Sequence, residues 1–381
     1  MEWKEVDICQ LCDSVSETYK GNASEVVLIN TSDVLDGKCL NHEYVPNKKL
    51  KGQFKKTFRK GDILYSEIRP ANKRFCFVDF EPKDYIASTK LMVLRAHEDV
   101  DPQYLYQILR SNDTLAQLQM LAESRSGTFP QITYSELSNI MVSLPSQKAQ
   151  KNIVSILSSL DRKIELNNKI NADLEEMAQA IFKNWFVDFE PFKDGKFVDS
   201  ELGMIPEGWK VGTLGELCNF KRGKNLLTKN AIDEGVPVVA GGLEPSCYHN
   251  IANTGAPVIT VSGSGANAGF MRMYHVPVWA SDCSFIDISC KNFYFVYCFL
   301  KVNSKLLKHA QTGAVQPHVK PSDIHDFELV IPDKESIYDF QDKVKPFFDK
   351  IAVIQKENSR LSLLRDTLLP RLMSGEIEVP E

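Results

Sequence analysis

An internal repeat constrains the fold of this chain more than any other feature. Pro130 and Pro317 lie 187 residues apart within matching surroundings. Near the start of each copy, Trp3 and Trp209 lie 206 residues apart, so the first copy contains 19 additional residues in its interior. A chain that repeats itself once at this length is expected to form two similar structural units. The ends of the two copies match, whereas their interiors differ.

Apolar residues recur at heptad spacing after a Leu-Pro or Ile-Pro pair in each copy. A stripe over more than four heptads is typical of a long helix that pairs with another helix. Because the two stripes are equally long and occupy equivalent places, we expect their helices to pair within the chain. The residues predicted for this seam and for partner docking are Leu157, Leu160, Ile164, Asn167, Asn171, Leu174, Ile181, Trp185, Phe186, Phe347, Ile351, Ile354, Asn358, Leu361, Leu368 and Leu372.

Several residues in or beside these stripes carry specific expectations. Ser146 and Asp333 directly follow the prolines and are the predicted N-caps. The asparagines in the seam should cost stability and fix the register. Pro346 should kink the second helix or mark where its regular part begins. Arg365 interrupts the second stripe, and we expect the neighbouring Leu364 to take its place.

The interiors of the two copies contain short apolar runs bounded by Gly, Pro, Asn and Asp, which indicate strands. Short helices are predicted within residues 102–121 and 293–310. The expected fold class is α+β, with two globular domains separated by two long helices that form an antiparallel intramolecular coiled coil. The predicted boundaries are 1–145 for the first domain, 146–190 for the first helix, 191–204 for a linker, 205–332 for the second domain and 333–381 for the second helix and tail.

Composition excludes several classes of protein. The chain has 381 residues, with 45 Lys and Arg against 50 Asp and Glu, so a polycation that coats nucleic acid is unexpected. Nine cysteines include one isolated Cys9-x-x-Cys12 pair, which favours reduced thiols over a zinc site. No apolar run reaches the length of a membrane span, and we expect a soluble, cytoplasmic protein.

Sequence motifs for catalysis and cofactor binding were not found. The segment "SGSGANAG" (262–269) has glycine spacing that differs from the dinucleotide motif, and the residues after it indicate a strand. We therefore expect a tight turn there. Walker A, H-E-x-x-H, G-x-S-x-G and Asn-Pro-Pro-Tyr-like methyltransferase signatures are absent from the sequence. The prediction is that this chain binds no cofactor or metal.

Local basic clusters nevertheless occur in both copies, near glycines and polar side chains. A single charge cluster is often only a solvated face. Clusters in both copies favour contacts with DNA phosphates, and Arg, Asn, Gln and His in the same loops could read bases. The predicted DNA-binding residues are Lys48, Lys49, Lys55, Lys56, Arg59, Arg69, Lys73, Arg74, Arg125, Ser126, Gln131, Lys221, Arg222, Lys224, Ser264, Asn267, Lys308, His309, Thr312, Gln316 and His318.

The order of these features resembles the specificity subunit of type I restriction–modification enzymes. The resemblance covers the whole chain, and its most specific parts are "FKNWFVDFEPF…LGMIPEGW" (182–209) and "LLPRLMSGEI" (368–377). It implies that each domain is a target recognition domain that reads one half of a split DNA sequence. The helices would be the spacer that holds the two domains apart.

The resemblance also implies partners. The subunit itself is not a catalyst in this family. It docks methylation subunits, of which two are expected, and restriction subunits. S-adenosylmethionine, ATP and Mg²⁺ are expected on those partners, and the helices with residues 182–192 are the expected docking surface. Two alternatives stay open: a scaffold protein with two adhesive domains and no DNA, and a methyltransferase that acts alone.

Overall fold

The computed structural model describes residues 3–48, 52–124, 130–311 and 317–379. These residues divide into two compact units. Unit 1 combines Met1–Glu165 with Ser359–Glu381, and unit 2 is Leu166–Asn358. Each unit therefore contains the interior of one sequence copy and one part of each of two long helices.

Unit 1 is a mixed structure of short strands and helices. Its strands are β1 (Lys4–Asp7), β2 (Cys12–Val15), β3 (Glu25–Ile29), β4 (Val34–Leu35), β5 (Lys38–Cys39), β6 (Val45–Pro46), β7 (Phe54–Lys56), β8 (Ile63–Ser66), β9 (Phe75–Phe77), β10 (Tyr85–Ser88), β11 (Leu91–Ala96) and β12 (Met141–Leu144). Its helices are α1 (Pro102–Arg110), α2 (Asn112–Ser124), α3 (Tyr134–Ser138) and the first part of α4 (Gln147–Phe186).

Strand β11 is central to unit 1. It lies between β2 and β8 in a four-stranded sheet of order β2-β11-β8-β9. Its side chains alternate between two cores, as the pleat of a strand requires. Met92 and Leu94 pack in a core that includes residues of α1, and Leu91 and Val93 pack in a second core with residues of β3 and β10. A second sheet has the order β6-β3-β10-β7.

Unit 2 repeats this plan, and the interior of its sequence copy is 19 residues shorter. Its strands are β13 (Phe197–Val198), β14 (Ile205–Pro206), β15 (Lys210–Thr213), β16 (Lys221–Arg222), β17 (Val236–Val239), β18 (Cys247–His249), β19 (Val258–Ser262), β20 (Met271–Tyr274), β21 (Trp279–Ala280), β22 (Cys283–Asp287) and β23 (Glu328–Ile331). Its helices are α5 (Phe293–Val302), α6 (Ser304–His309), α7 (Pro321–His325) and the first part of α8 (Lys334–Met373). The central sheet has the order β16-β22-β19-β20.

Within each sequence copy, the strand that begins the domain pairs with the strand that ends it. Strand β1 pairs antiparallel with β12, which places Lys4 opposite Leu144. Strand β15 pairs in the same way with β23, which places Lys210 opposite Ile331. In both units this two-stranded ribbon closes the domain directly before the long helix begins. The segments that match between the two copies therefore form this paired ribbon, and the segments that differ lie between its two strands in sequence.

The two long helices begin where the sequence predicts. Ser146 Oγ accepts a hydrogen bond from the Ala149 backbone N–H at 3.3 Å, and Asp333 Oδ1 accepts one from Ser336 at 2.9 Å. Both predicted N-caps are confirmed. Helix α8 continues through Pro346 as one helix of 40 residues, the same length as α4. A helix of this length is about 60 Å long.

The long helices pair antiparallel, as predicted. In unit 2, Asn167 Nδ2 donates to Asn358 Oδ1 at 2.8 Å, and the rings of Phe182 and Phe340 lie 5.6 Å apart. Thus later residues of α4 meet earlier residues of α8. Every residue predicted for the seam is buried or half-buried. The expected fold class, α+β with a coiled coil of two long helices, is confirmed.

One expectation about the seam is wrong. Leu364 does not replace Arg365, because Leu364 is 47% exposed. Arg365 instead points inward in unit 1, where its Nη1 lies 2.8 Å from Asp161 Oδ1. Arg110 contacts the other oxygen of Asp161 at 2.9 Å. An ion pair keeps the arginine in the helix interface, which apolar periodicity alone could not indicate.

Candidate nucleic-acid interface

The same turn ends a central strand in both domains. After β8, the backbone N–H of Arg69 donates to the carbonyl of Pro130 at 3.1 Å, and after β19 the N–H of Gly265 donates to Pro317 at 3.1 Å. Arg69 and Gly265 both adopt left-handed backbone angles, with φ of 46° and 81°. We call residues 66–69 and 262–265 the strand-end turns. They occupy equivalent places in the two copies.

Two residues predicted to read bases lie beside these turns at equivalent positions. Gln131 forms an isolated antiparallel bridge with Ile68, and His318 forms one with Ser264. Both directly follow the prolines of the repeat. Gln131, Ser264 and His318 of the predicted set thus lie at the strand-end turns of their domains, as does Arg69, which is part of its turn.

In the second domain, the strand-end turn carries a charged cluster. The guanidinium of Arg222 forms an ion pair with Asp282, and the hydroxyl of Ser264 donates a hydrogen bond to the same carboxylate. Asn267 Nδ2 donates to the Gly241 carbonyl at 3.4 Å in the adjoining loop. The predicted turn lies in the connection between the antiparallel strands β19 and β20, where the Ala268 N–H donates to the Gly265 carbonyl at 3.0 Å.

In the first domain, the position equivalent to Asp282 holds a basic residue, Lys90. Lys90 Nζ lies 3.4 Å from Glu67 Oε2 and donates to Gln131 Oε1 at 3.1 Å. The strand registers show the equivalence. Lys90 directly precedes the residue opposite Ser66, and Asp282 directly precedes the residue opposite Ser262. The two domains thus present different polar side chains at the same structural position.

Sequence reasoning missed Glu67, Lys90 and Asp282. Each follows or precedes an apolar strand and stands outside the basic clusters. Asp282 is acidic, and the predicted DNA contacts were based on clusters of basic residues. Comparing the two copies strand by strand could have indicated the position, but that comparison requires the strand registers.

The predicted cations of the first domain differ in their exposure. Lys48, Lys55, Arg59 and Lys73 are exposed. Arg69 is exposed as well, whereas Arg74 donates to the carbonyl oxygens of Ser32 and Val34 at 3.1 and 3.4 Å.

Lys56 has a structural role. It is 9% exposed, and its ammonium donates to the carbonyl oxygens of Thr89 and Leu91 at 3.1 and 2.8 Å. Desolvation by burial lowers its pKa. Strand alternation explains the difference from Lys55, because neighbouring side chains of β7 point to opposite faces. We therefore leave Lys56 out of the proposed contacts with DNA.

In the second domain, Lys221, Lys224, Lys308 and His309 are exposed. Lys308 and Asn267 line a cavity of about 380 Å³ beside the loop that follows β19. Five predicted residues lie outside the described part of the chain: Lys49, Arg125, Ser126, Thr312 and Gln316.

The described ranges lack the features of two other classes of protein. Within residues 3–48, 52–124, 130–311 and 317–379, no group of three or more His, Cys, Asp and Glu is placed to hold a metal ion. Over the same ranges, no helix is both long and apolar enough to cross a membrane.

The aromatic segment expected to dock partners packs instead into unit 2. Phe182 and Phe186 are 2% and 7% exposed and contact Phe340. Farther along, the rings of Phe192 and Trp209 lie 4.8 Å apart. These side chains fix the start of the second domain against the helices, so a partner would have to contact other residues of this region.

Two similar domains that present different polar side chains at one shared turn define a two-part recognition protein. Comparison with known proteins identifies its family. The model of the type I restriction modification DNA specificity domain matches residues 2–176 and 206–362. The chain belongs to this family of type I restriction–modification specificity proteins. The function expected from sequence, recognition of DNA sequence in such a system, is confirmed at this level.

Individual relatives agree with this assignment. The chain is 34% identical to the HindI specificity subunit of Haemophilus influenzae, with 99% of this chain and 100% of the relative covered. It is 29% identical to the MjaIX specificity subunit of Methanocaldococcus jannaschii, over 90% of this chain and 85% of the relative. The crystal structure of the S subunit from M. genitalium shares the fold, with a TM-score of 0.54 at 19% identity over 100% of this chain and 97% of that one.

Proposed function

We propose that this chain reads a bipartite DNA sequence, with the first domain (1–145) reading one half-site and the second domain (205–332) the other. One observation carries the proposal. The two strand-end turns form equivalent backbone hydrogen bonds, but the polar side chains at and beside them differ. They are Glu67, Lys90 and Gln131 in one domain and a different polar set in the other. A shared frame with different polar groups is what two readers of different sequences require.

Exposed cations of the two domains would supply the affinity. Phosphate contacts by Lys and Arg give binding that is independent of sequence and sensitive to salt. Six exposed cations form no ion pair within the described residues, and we propose them as phosphate contacts: Lys48, Lys55, Arg69, Lys73, Lys224 and Lys308. The net charge of −5 fits a protein whose DNA contacts are local and shared with partner subunits.

The long helices would set the distance between the half-sites. Each is about 60 Å long, which compares with about 34–36 Å for one turn of duplex DNA. The seam is fixed by buried apolar side chains and by the hydrogen bond between Asn167 and Asn358. A stiff helix pair of constant length would give a constant spacer in the recognised sequence.

The chain would act without catalytic groups of its own. Methylation subunits, two of them in the expected assembly, would carry S-adenosylmethionine, and restriction subunits would carry ATP and Mg²⁺. The long helices have exposed apolar side chains that suit docking of such partners: Leu166 is 54% exposed, Met177 is 49% exposed and Val353 is 62% exposed. The buried aromatic side chains would stabilise the helices that carry this surface.

Binding of duplex DNA by the complex with methylation subunits tests the proposal. The double variant Lys55→Gln, Lys73→Gln should bind its specific duplex more weakly, with the salt dependence reduced by about 0.9 per lost contact. The matched control changes the same charge in the linker, by Lys193→Gln and Lys196→Gln, and should bind as the wild type does. Equal binding by all three proteins would refute the phosphate assignment.

The alternatives give different results. A scaffold protein would leave the complex without any preferred DNA sequence. A methyltransferase acting alone would bind S-adenosylmethionine as an isolated chain, and calorimetry of the chain with this cofactor should show no heat of binding if our proposal holds.

A further inference from the structure

Arg222 is held in an unusually defined position for an arginine at the edge of a domain. Its side chain is 46% exposed, yet its guanidinium is paired with the carboxylate of Asp282. The other oxygen of Asp282 accepts the hydroxyl hydrogen of Ser264. The carboxylate is therefore itself fixed, and it orients the guanidinium at the strand-end turn of the second domain. Side chains fixed in this way can recognise a ligand with little loss of conformational entropy.

Gly263 provides the space for this arrangement. A Cβ atom at Gly263 would collide with the guanidinium of Arg222. The registers β16–β22 and β19–β22 place Arg222 opposite Ser284 and Ser284 opposite Val261. Gly263 lies two residues after Val261, on the same face of the sheet. The glycine thus lets the guanidinium lie against the backbone of the turn.

The carboxylate decides which DNA group suits this arginine. The pair of Arg222 and Asp282 carries no net charge, and a phosphate placed on the guanidinium would be repelled by the carboxylate. The edge of a base is uncharged and brings no such penalty. A guanidinium has five N–H donors in a fixed fork. Nη2 of Arg222 donates to one oxygen of Asp282, so other donors of the fork stay available. In the major groove, guanine offers two acceptors, N7 and O6, that match such a fork.

We propose that Arg222, oriented by Asp282, reads a guanine in the half-site of the second domain. This inference rests on the proposed function and assigns one base contact within it. Asp282 is a positioning residue, because it acts through the arginine. The first domain has Lys90 in the place of Asp282 and Glu67 in the place of Gly263, so it lacks this arrangement and would read its half-site differently.

Selection from a library of duplexes tests the inference. The complete chain, assembled with its methylation subunits, is used to select from DNA randomised in both half-sites. The wild type should select a guanine at one position of one half-site. Arg222→Lys should lose about 10- to 100-fold of the preference at that position alone, because an ammonium is a point charge and cannot form the bidentate contact. Preferences elsewhere should stay unchanged.

Two further variants test whether the orientation of Arg222 matters. Asp282→Asn and Gly263→Ala both leave the arginine in place but disturb its orientation, and both should relax the same position. The matched control is Arg272→Lys, which changes an arginine with a similar partner, Glu244 at 3.0 Å, in the same sheet. That variant should select the wild-type sequence. Thermal unfolding of each variant confirms that it is folded.

Other results would overturn the inference. If Arg222→Lys weakens binding to all sequences equally and reduces the salt slope by about one, the arginine contacts phosphate. If the selected sequence keeps its guanine with Arg222→Lys, the base contact lies elsewhere. A wild-type complex that selects no sequence would instead refute the proposed function, which keeps the two failures distinct.

Discussion

The indole of Trp209 donates a hydrogen bond from Nε1 to Oδ2 of Asp333 at 2.9 Å. The two residues are 124 positions apart in sequence. Trp209 begins the second domain, and Asp333 is the N-cap of α8, so this bond connects the start of the domain to the helix that follows it. The carboxylate also accepts hydrogen bonds from the backbone and hydroxyl of Ser336.

Replacing Asp333 with alanine should destabilise unit 2. The variant loses an N-cap, typically worth about 1 kcal/mol, and leaves the buried indole N–H of Trp209 without its acceptor. We expect the free energy of unfolding to fall by about 2 kcal/mol in denaturant titrations. Asp342→Ala, at an exposed position of the same helix, should change it by less than about 0.5 kcal/mol. Similar losses in both variants would contradict the role assigned to the cap.

Stability should also depend on the ionisation of Asp333. Burial raises the pKa of this carboxyl, but hydrogen bonds from Ser336 and Trp209 outweigh burial and hold the pKa below its ordinary value. The folded pKa is thus lower than the unfolded pKa of about 4. The resulting stabilisation is complete above the unfolded pKa and is lost as the pH falls through the folded pKa.

A comparison with Asp333→Asn isolates this effect, because asparagine caps helices well but does not ionise. The melting temperature of the wild type should exceed that of the variant at pH 7, and the difference should shrink below about pH 4. A difference that stays constant between pH 7 and pH 3 would argue against the depressed pKa.

The two ion pairs of Asp161 predict that replacing Asp161 destabilises unit 1 more than replacing Arg365 does. Asp161 accepts from Arg110 and Arg365, whose side chains are only 11% and 20% exposed. Asp161→Ala should cost about 2 kcal/mol, since it leaves two shielded guanidinium groups without a carboxylate. Arg365→Leu should cost less than half as much, because Asp161 keeps Arg110 and the leucine restores the apolar stripe. Chemical denaturation of both variants would show whether this order holds.

The asparagines of the helix seam should respond in opposite directions. The side-chain amide oxygen Oδ1 of Asn171 is buried without a hydrogen-bond partner in the described structure. Asn171→Leu should therefore stabilise the protein by about 1 kcal/mol. Asn167 donates to Glu357 and Asn358 at 2.9 and 2.8 Å. Asn167→Leu should therefore destabilise it by about 1 kcal/mol. Melting temperatures measure both changes, and a loss of stability with Asn171→Leu would disprove this account of the seam.

The length of the helices should determine the spacer of the recognised sequence. Inserting one heptad after Glu165 and one before Ser359 keeps the seam in register and lengthens each helix by about 10 Å. At 3.4 Å per base pair, the preferred spacer should increase by about three base pairs while the half-sites stay the same. Methylome sequencing of cells that express the variant with its partners provides the measurement. An unchanged spacer would exclude the helices as the ruler.

Much of the fold could be predicted because its signals are local or repeated. Heptad stripes predicted α4 and α8, the prolines located Ser146 and Asp333 as caps, and short apolar runs bounded by Gly, Pro, Asn and Asp predicted strands in both domains. The resemblance to the family was carried by the order of these segments. The residues that contact DNA stay a prediction, because loop composition does not state which side chain faces a base.

The sequence by itself determined the repeat, the long helices, their pairing and the family. Only the tertiary structure decided that Lys56 is buried under two carbonyl groups, that Arg365 pairs with Asp161, and that Arg222 and Asp282 form the cluster of the second domain. The reason is physical. Periodicity reports which face of its own helix or strand a residue occupies, whereas the partner of a charged side chain depends on the register between elements far apart in the chain.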